Sequence, residues 1–433
     1  MQRRLFCTLE VMKKITSILA IFIALSACSS KKSMITKQLN SNLSSSFYEN
    51  QFTGVLVIDA ETKDTIYNQD SHKYFIPASN TKIFTLFAAL KTLPKKAPSL
   101  RYIIINDTLY FEGTGDPSFL HPYLKDSTAL HFLKNQSNLT LVSGNFQDEK
   151  YGAGWAWDDY QWNFSPERNA LPINGNVVLS YKNAELVVSP LYFKDSVIEI
   201  LHKRNRNESS NIFYYPPQSK DTIETPFITS LQTTTSILEQ ALGKEVSTTL
   251  TMPLGNKETL YGIETDTLYK RMMHESDNFI AEQLLFMAAS ELKDTLNSNL
   301  IRTHILEYEL HDLAQQPRWV DGSGLSRYNL FTPQNMVNVL EKLYTMVPQK
   351  RLFSIFPAGG LSGTLKKRFA GDEQPYIYAK SGSLSNNYCL SGYLLTKSGK
   401  TLIFSFMNNH FRESLSDERL HLEQMLQTLR DNY

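Results

Sequence analysis

The stretch Ser79-Asn80-Thr81-Lys82-Ile83-Phe84-Thr85-Leu86-Phe87-Ala88-Ala89-Leu90-Lys91-Thr92 decides how the rest of the chain is read. It is rich in helix formers and is followed by Pro94, which cannot continue a helix, so the pattern predicts a helix over 79–92. At a helix start, positions i and i+3 share a face. Lys82 can therefore set its amine against the Ser79 hydroxyl while Ser79 stays at the exposed end. A serine hydroxyl is a poor nucleophile until a base accepts its proton, and a lysine serves as that base only when burial or a nearby cation lowers its pKa. The helix start thus points to an activated serine that needs a second cation close by.

Upstream, Gly54–Ala60 and Thr65–Tyr67 read as an opening hairpin closed around Glu61–Asp64. Downstream, from about Leu100 to Thr265, short apolar runs alternate with Asn, Asp, Gly and Pro, the texture of a mostly β region. Helical periodicity resumes over Thr265–Leu292 and Pro333–Val347. Two apolar strands follow, Tyr388–Thr396 and Thr401–Met407, joined by the turn Lys397-Ser398-Gly399-Lys400, and a last helix is expected over Ser414–Leu429. Terminal hairpins flanking helices predict one α/β (α+β) domain, residues 47–99 with 266–433, split by an inserted, mostly β region at 100–265.

The composition is that of an ordinary globular protein: 433 residues, 42% hydrophobic and 20% charged, with 44 Lys+Arg against 43 Asp+Glu. So balanced a charge creates no broad field for polyanions and disfavours a nucleic-acid partner. Nine scattered histidines and three cysteines form no zinc spacing and no disulfide framework, so neither a metal nor another cofactor is expected. At the N-terminus, Met12–Cys28 reads MKKITSILAIFIALSAC: a basic pair, an apolar run and small residues, the layout of an export signal with Met12 as the true start. Leu25-Ser26-Ala27-Cys28 resembles the bacterial lipobox, which implies cleavage after residue 27 and acylation of Cys28. A plain signal peptide with an incidental Cys28 is the alternative. Residues 28–46, polar and without periodicity, read as a tether from lipid to globule. An exported lipoprotein on the periplasmic face of a bacterial membrane is the localisation this implies.

Three short patterns occur in order: Ser79-Asn80-Thr81-Lys82, Ser276-Asp277-Asn278 and Lys380-Ser381-Gly382. Each recurs elsewhere, and context selects among the copies. Ser29 lies in the tether, Ser290 in the tail of a helix and Lys397 at a hairpin tip, whereas Lys380-Ser381-Gly382 follows PYIYA and fits a strand edge. Lys380 would supply the second cation. With these motifs the chain resembles the penicillin-binding protein and serine β-lactamase superfamily. Within it, Gly113–Pro117, Gly154–Asp159, Asp277–Glu282, Asp321–Arg327 and Gly359–Leu365 resemble the low-molecular-mass class C D-alanyl-D-alanine carboxypeptidase/endopeptidase family, peptidase family S13, across roughly residues 50 to 410.

The resemblance implies a transpeptidase-type fold, an antiparallel sheet flanked by helices, and a penicillin-sensitive serine D,D-peptidase acting on peptidoglycan stem peptides, with β-lactams as covalent inhibitors. It implies that Ser79 attacks the D-Ala-D-Ala carbonyl, Lys82 accepts its proton, and Ser276 relays a proton to the leaving amine with Lys380 behind it. Backbone N–H groups of Ser79 and Ser383 would form the oxyanion hole, Asn278 would hold the substrate backbone, and Lys380 and Ser381, beside Gly382, would bind the terminal carboxylate. In the inserted region Asp159 would bind the ammonium of a diaminopimelate residue, Arg327 its carboxylate, and Phe164 would pack on its methylenes. Ser381 stands where Thr is usual and keeps the hydroxyl. The span between Ser79 and Ser276 is shorter than in the family's longer members, which implies an insertion lacking part of its outermost subdomain.

Plainer readings accompany several of these residues. Asp277 can cap a helix, Asp116-Pro117 a turn, and Ser323 belongs to a backbone-shaping loop that delivers Arg327. His274 reads as structural, Cys389 as a small strand residue, and Trp155, Trp157 and Trp162 mainly as packing. The rival functions are a serine β-lactamase-like hydrolase, which would have no use for the clamp residues, and a catalytically silent peptidoglycan-binding lipoprotein, which would have no chemical need for Ser79, Lys82, Ser276, Asn278 and Lys380 together.

Overall fold

A computed structural model describes residues 32–433. The expected signal peptide, the start at Met12 and the lipidation of Cys28 lie outside those residues. In chain order the elements begin with helix α1 (32–43), strands β1 (Phe52–Asp59) and β2 (Thr65–Gln69), and helix α2 (Lys82–Thr92). A long middle section follows: β3 (Lys96–Ile105), β4 (Thr108–Gly113), α3 (Thr128–Lys134), β5 (Asn138–Val142), β6 (Val177–Asn183), β7 (Glu185–Ser189), β8 (Val197–Glu199), β9 (Phe213–Tyr215), β10 (Ile223–Pro226), α4 (Leu231–Leu242), β11 (Ser247–Thr249) and β12 (Glu258–Glu264). The rest comprises α5 (Thr265–His274), α6 (Asn278–Lys293), α7 (Ser298–His304), α8 (Pro333–Met346), α9 (Gln349–Ile355), β13 (Ile377–Leu384), β14 (Asn387–Leu395), β15 (Thr401–Asn409) and α10 (Leu415–Asn432).

One antiparallel sheet of five strands, ordered β13-β14-β15-β1-β2, joins the two ends of the chain. Its strands read as unbroken apolar runs because both faces are covered. Alternation survives underneath: Leu56 and Ile58 of β1, with Cys389, Ile403 and Met407, face a core built from α2, α6 and α8. Val55 and Val57, with Leu390, Phe404 and Phe406, face the opposite core beneath α10. That second core also takes up Ile35, Leu39 and Leu43. The tether expected over 28–46 is therefore corrected for residues 32–43, which form helix α1. Their apolar side chains recur every fourth residue, one per turn, the spacing of a single narrow stripe laid on a partner surface.

The middle section carries a five-stranded sheet ordered β11-β5-β4-β3-β12, a three-stranded sheet β10-β6-β7 and the pair β8-β9. They enclose a separate core around Leu100, Phe111, Leu141, Ile173, Phe193 and Leu238. This section is not purely β: α4 is capped by Ser230, whose hydroxyl accepts from the Thr233 N–H, and closes on Gly243 in the left-handed conformation. The helical pattern expected to run through Thr265–Leu292 is broken into α5 and α6. Ser276 between them has φ 56°, a left-handed backbone that no continuing helix accommodates.

Candidate active site

Ser79 lies on a 3₁₀ turn, Ala78–Thr81, that runs directly into α2. The turn is strained at Ala78, which has φ 48° and is fully buried. It is braced from behind by Gly324 (φ 85°), where an added Cβ would lie 1.9 Å from the Ala78 carbonyl oxygen. Lys82, the first residue of α2, is buried with 0% exposure, and its Nζ lies 3.0 Å from Ser79 Oγ. The same Nζ is 2.6 Å from Asn278 Oδ1 and 2.6 Å from the Ser323 carbonyl oxygen. Burial pulls the Lys82 pKa down to about 8, against the attractions of Asp321, Glu282 and Asp277.

The break between α5 and α6 supplies the second serine. Asp277 is the N-cap of α6, accepting from the Ile280 N–H at 3.0 Å, and it pairs with Arg271 at 3.0 Å. Asp277 is thus a capping residue, flanked by Ser276 and Asn278, whose side chains reach Lys380 and Lys82. Ser276 Oγ lies 3.0 Å from Nζ of Lys380, which sits fully buried on the edge strand β13 and also donates to the Ser381 carbonyl at 2.6 Å. Burial holds Lys380 well below the usual lysine range, with the neighbouring Lys82 acting in the same direction. Two serine and lysine pairs therefore face each other, Ser79 with Lys82 and Ser276 with Lys380.

Strand β13 passes close to the Ser79 turn at Gly382. A Cβ there would stand 2.6 Å from the Pro77 carbonyl oxygen and 2.9 Å from the backbone nitrogens of Ser79 and Asn80. The Ser381 hydroxyl lies 2.8 Å from the hydroxyl of Thr364, a contact that sequence reasoning did not assign. Ser383, next along the strand, is exposed.

The residues of the expected clamp come from separate segments. Asp159 is half-buried on the 3₁₀ turn Trp157–Gln161. Its pKa is raised by burial and by Asp158, while the attraction of Arg327 opposes that rise, so the two clamp charges lie within electrostatic reach. Arg327 is exposed and its backbone N–H donates to the Gly154 carbonyl. Phe164 exposes its ring, and its carbonyl accepts from Asn278 Nδ2 at 2.9 Å, which ties the middle section to the second motif.

The loop Asp321–Gly324 shapes backbone as its sequence suggests, and the part that Asp321 itself plays went unrecognised. Asp321 is fully buried and accepts from the Gly324 N–H (2.9 Å), the Ser326 N–H (2.6 Å), Asn329 Nδ2 (2.6 Å) and Trp155 Nε1 (2.9 Å). It fixes the loop that offers the Ser323 carbonyl to Lys82. Ser323 serves through its backbone, and its hydroxyl is turned toward Asp321. Cys389 is buried, and burial pushes its thiol far above the ordinary range, so it is a packing residue. Among the described residues no group of His, Cys, Asp or Glu is arranged to hold a metal ion.

A sequence profile described as the D-Ala-D-Ala carboxypeptidase 3 (S13) family matches residues 35–211 and 262–430. The chain is 23% identical over 428 residues to the D-alanyl-D-alanine carboxypeptidase DacB of Haemophilus influenzae, covering 86% of this chain and 88% of that protein. In fold it is similar to the crystal structure of penicillin binding protein 4 from the same organism, with a TM-score of 0.69 and 23% identity over 90% of this chain and 98% of that one. It also matches a predatory peptidoglycan endopeptidase of Bdellovibrio bacteriovorus, with a TM-score of 0.54 and 15% identity over 88% and 92% of the two chains.

Proposed function

The chain belongs to the D-Ala-D-Ala carboxypeptidase 3 (S13) family, and from that premise we propose that it is a penicillin-sensitive serine D,D-peptidase trimming peptidoglycan stem peptides through an acyl-enzyme on Ser79. The observation that carries this reading is the facing pair of contacts, Lys82 Nζ to Ser79 Oγ and Lys380 Nζ to Ser276 Oγ, both at 3.0 Å.

Neutral Lys82 takes the Ser79 proton as Oγ adds to the carbonyl carbon of the penultimate D-alanine. The oxyanion so formed accepts from the N–H groups of Ser79 and Ser383, and the close passage of Gly382 by the Ser79 turn supports that pairing. As the C–N bond breaks, the leaving amine takes a proton through Ser276 Oγ, backed by Lys380. Water then attacks the ester, and Ser79 leaves with the proton returned through Lys82. Lys380 and the Ser381 hydroxyl bind the substrate carboxylate, and Asn278 holds the peptide backbone.

We assign Asp159, Arg327 and Phe164 to the zwitterionic side chain of the third stem residue. Opposite charges on separate segments suit a ligand carrying both signs. The catalytic part is read as 47–99 with 266–433 and the substrate-reading part as 100–265. Export, with acylation of Cys28, would keep the enzyme at the periplasmic face of a membrane, beside its substrate.

The test is labelling with a fluorescent penicillin. A β-lactam mimics the scissile dipeptide and leaves a slowly hydrolysed ester, so the protein should take up one label that Ser79→Ala abolishes. Equal labelling of both proteins would refute the assignment.

A further inference from the structure

Beneath the nucleophile lies a chain of contacts that the peptidase reading does not use. Glu282, on α6, is fully buried. Its Oε1 accepts from the Ser323 N–H at 2.8 Å, and the carbonyl of that same residue accepts from Lys82 Nζ at 2.6 Å. Its Oε2 accepts from Arg168 at 2.9 Å. Arg168 comes from the middle section, is 3% exposed, and is stacked between the rings of Trp155 and Phe286 at 5.5 and 5.3 Å. Its other donors reach Asp148 and the carbonyls of Glu149 and Tyr151. A guanidinium so fully bonded has one geometry, and it imposes that geometry on Glu282.

We propose that Glu282, fixed by Arg168, is a positioning residue for the general base: it grips the Ser323 peptide by the N–H so that the carbonyl of the same residue aims Lys82 at Ser79, and it tunes that base with its charge. This rests on the peptidase reading and deepens it, because the arginine that fixes Glu282 belongs to the section assigned to substrate recognition. A merely structural ion pair could sit anywhere in the core. Here both carboxylate oxygens are committed, one toward the base and one toward the inserted section.

Lys82 faces carboxylates from two directions, Glu282 and Asp277 on or beside α6 and Asp321 on the loop, while Lys380 opposes them from β13. Glu282 itself faces Arg168, Arg302 and Asp321. Glu282→Gln keeps an oxygen for the Ser323 N–H and removes one negative charge from near the base. Lys82 then loses its proton more readily, and the acid limb of the acylation rate against pH should move about one unit lower. The rate on the plateau should fall severalfold, because a weaker base accepts the proton less well.

The experiment measures the second-order acylation rate constant with a fluorescent penicillin from pH 5 to 10, on the full chain. Glu282→Gln takes from buried Arg168 one of its two carboxylate partners and leaves Asp148, which can cost the fold, so the double variant Glu282→Gln, Arg168→Gln is measured beside it. A lowered acid limb in either folded variant supports the role. An unmoved limb with only a slower rate overturns it, as that is what simple loss of packing produces. Unlabelled wild type, or a labelled Ser79→Ala, would instead sink the peptidase reading, so the two failures are told apart.

Discussion

Replacing Gly382 by alanine adds one methyl group at the tightest point of the site. That carbon would stand 2.6 Å from the Pro77 carbonyl oxygen and 2.9 Å from the nitrogens of Ser79 and Asn80, where 3.4 Å begins ordinary contact. All three neighbours are backbone atoms, and no side chain can swing aside. Either β13 or the Ser79 turn must retreat by roughly half an ångström to an ångström, and the turn is braced from behind by Gly324 against Ala78. The retreat separates the two N–H groups assigned to the oxyanion, so one donor is lost or misaligned. A displacement of that size costs about a hundredfold in rate. Overpacking adds a stability loss of about 1 to 3 kcal/mol. Stopped-flow acylation by a fluorescent penicillin, with a thermal melt on the same sample, measures both. Gly382→Ala acylated within a factor of two of wild type, in a folded protein, would show that the oxyanion geometry does not depend on this approach.

The other expectations follow from single observations. Lys82 acts as a base only when neutral, and with its pKa at about 8 acylation should fall about tenfold per pH unit below about pH 7 and level off on the alkaline side; a rate independent of pH from 5 to 9 would remove Lys82 from the role. Leu39→Ala should lower the unfolding free energy by about 2 to 4 kcal/mol, since Leu39 is 2% exposed in the core beneath α10; unchanged denaturant midpoints would mean that α1 contributes nothing. Asp159→Ala should slow turnover of diaminopimelate-containing peptides at least tenfold, with little effect on a simple N-acylated D-Ala-D-Ala. Parallel losses on both substrates would remove the clamp.

Features set by short-range chemistry were legible from the sequence. The helix after Ser79, the opening hairpin, strands β14 and β15 and the last helix each announce themselves within a dozen residues. The three motifs sit together because each is fixed to a regular element: a helix start, a helix cap and an edge strand. Helix α1 was missed because Ile35, Leu39 and Leu43 are one apolar residue per turn amid Ser, Lys and Asn, too thin a stripe to register without its partner surface. The break at Ser276 shows in the sequence only as a possible cap at Asp277, because the left-handed serine itself leaves no compositional trace. Asp321, Glu282 and the Ser323 carbonyl act through backbone groups and through pairings such as Arg168 with Glu282, 114 residues apart. No local pattern encodes those. Thr364 sits in the glycine-rich stretch Gly359–Leu365, and only the fold turns its hydroxyl toward Ser381.

The order β13-β14-β15-β1-β2 has a temporal side. A chain made from its N-terminus presents β1 and the Ser79 turn early, yet the neighbour of β1 is β15, more than three hundred residues later. The wall that carries Lys380 and the approach of Gly382 arrives only with β13. Until the last strands are in place the sheet is a two-stranded ribbon, which is marginal in water, and Ser276 lacks its lysine partner. A chain stalled in synthesis or clipped before β15 therefore has nothing to dock β13 and β14 against β1, and the site is assembled only when the two ends of the chain pair.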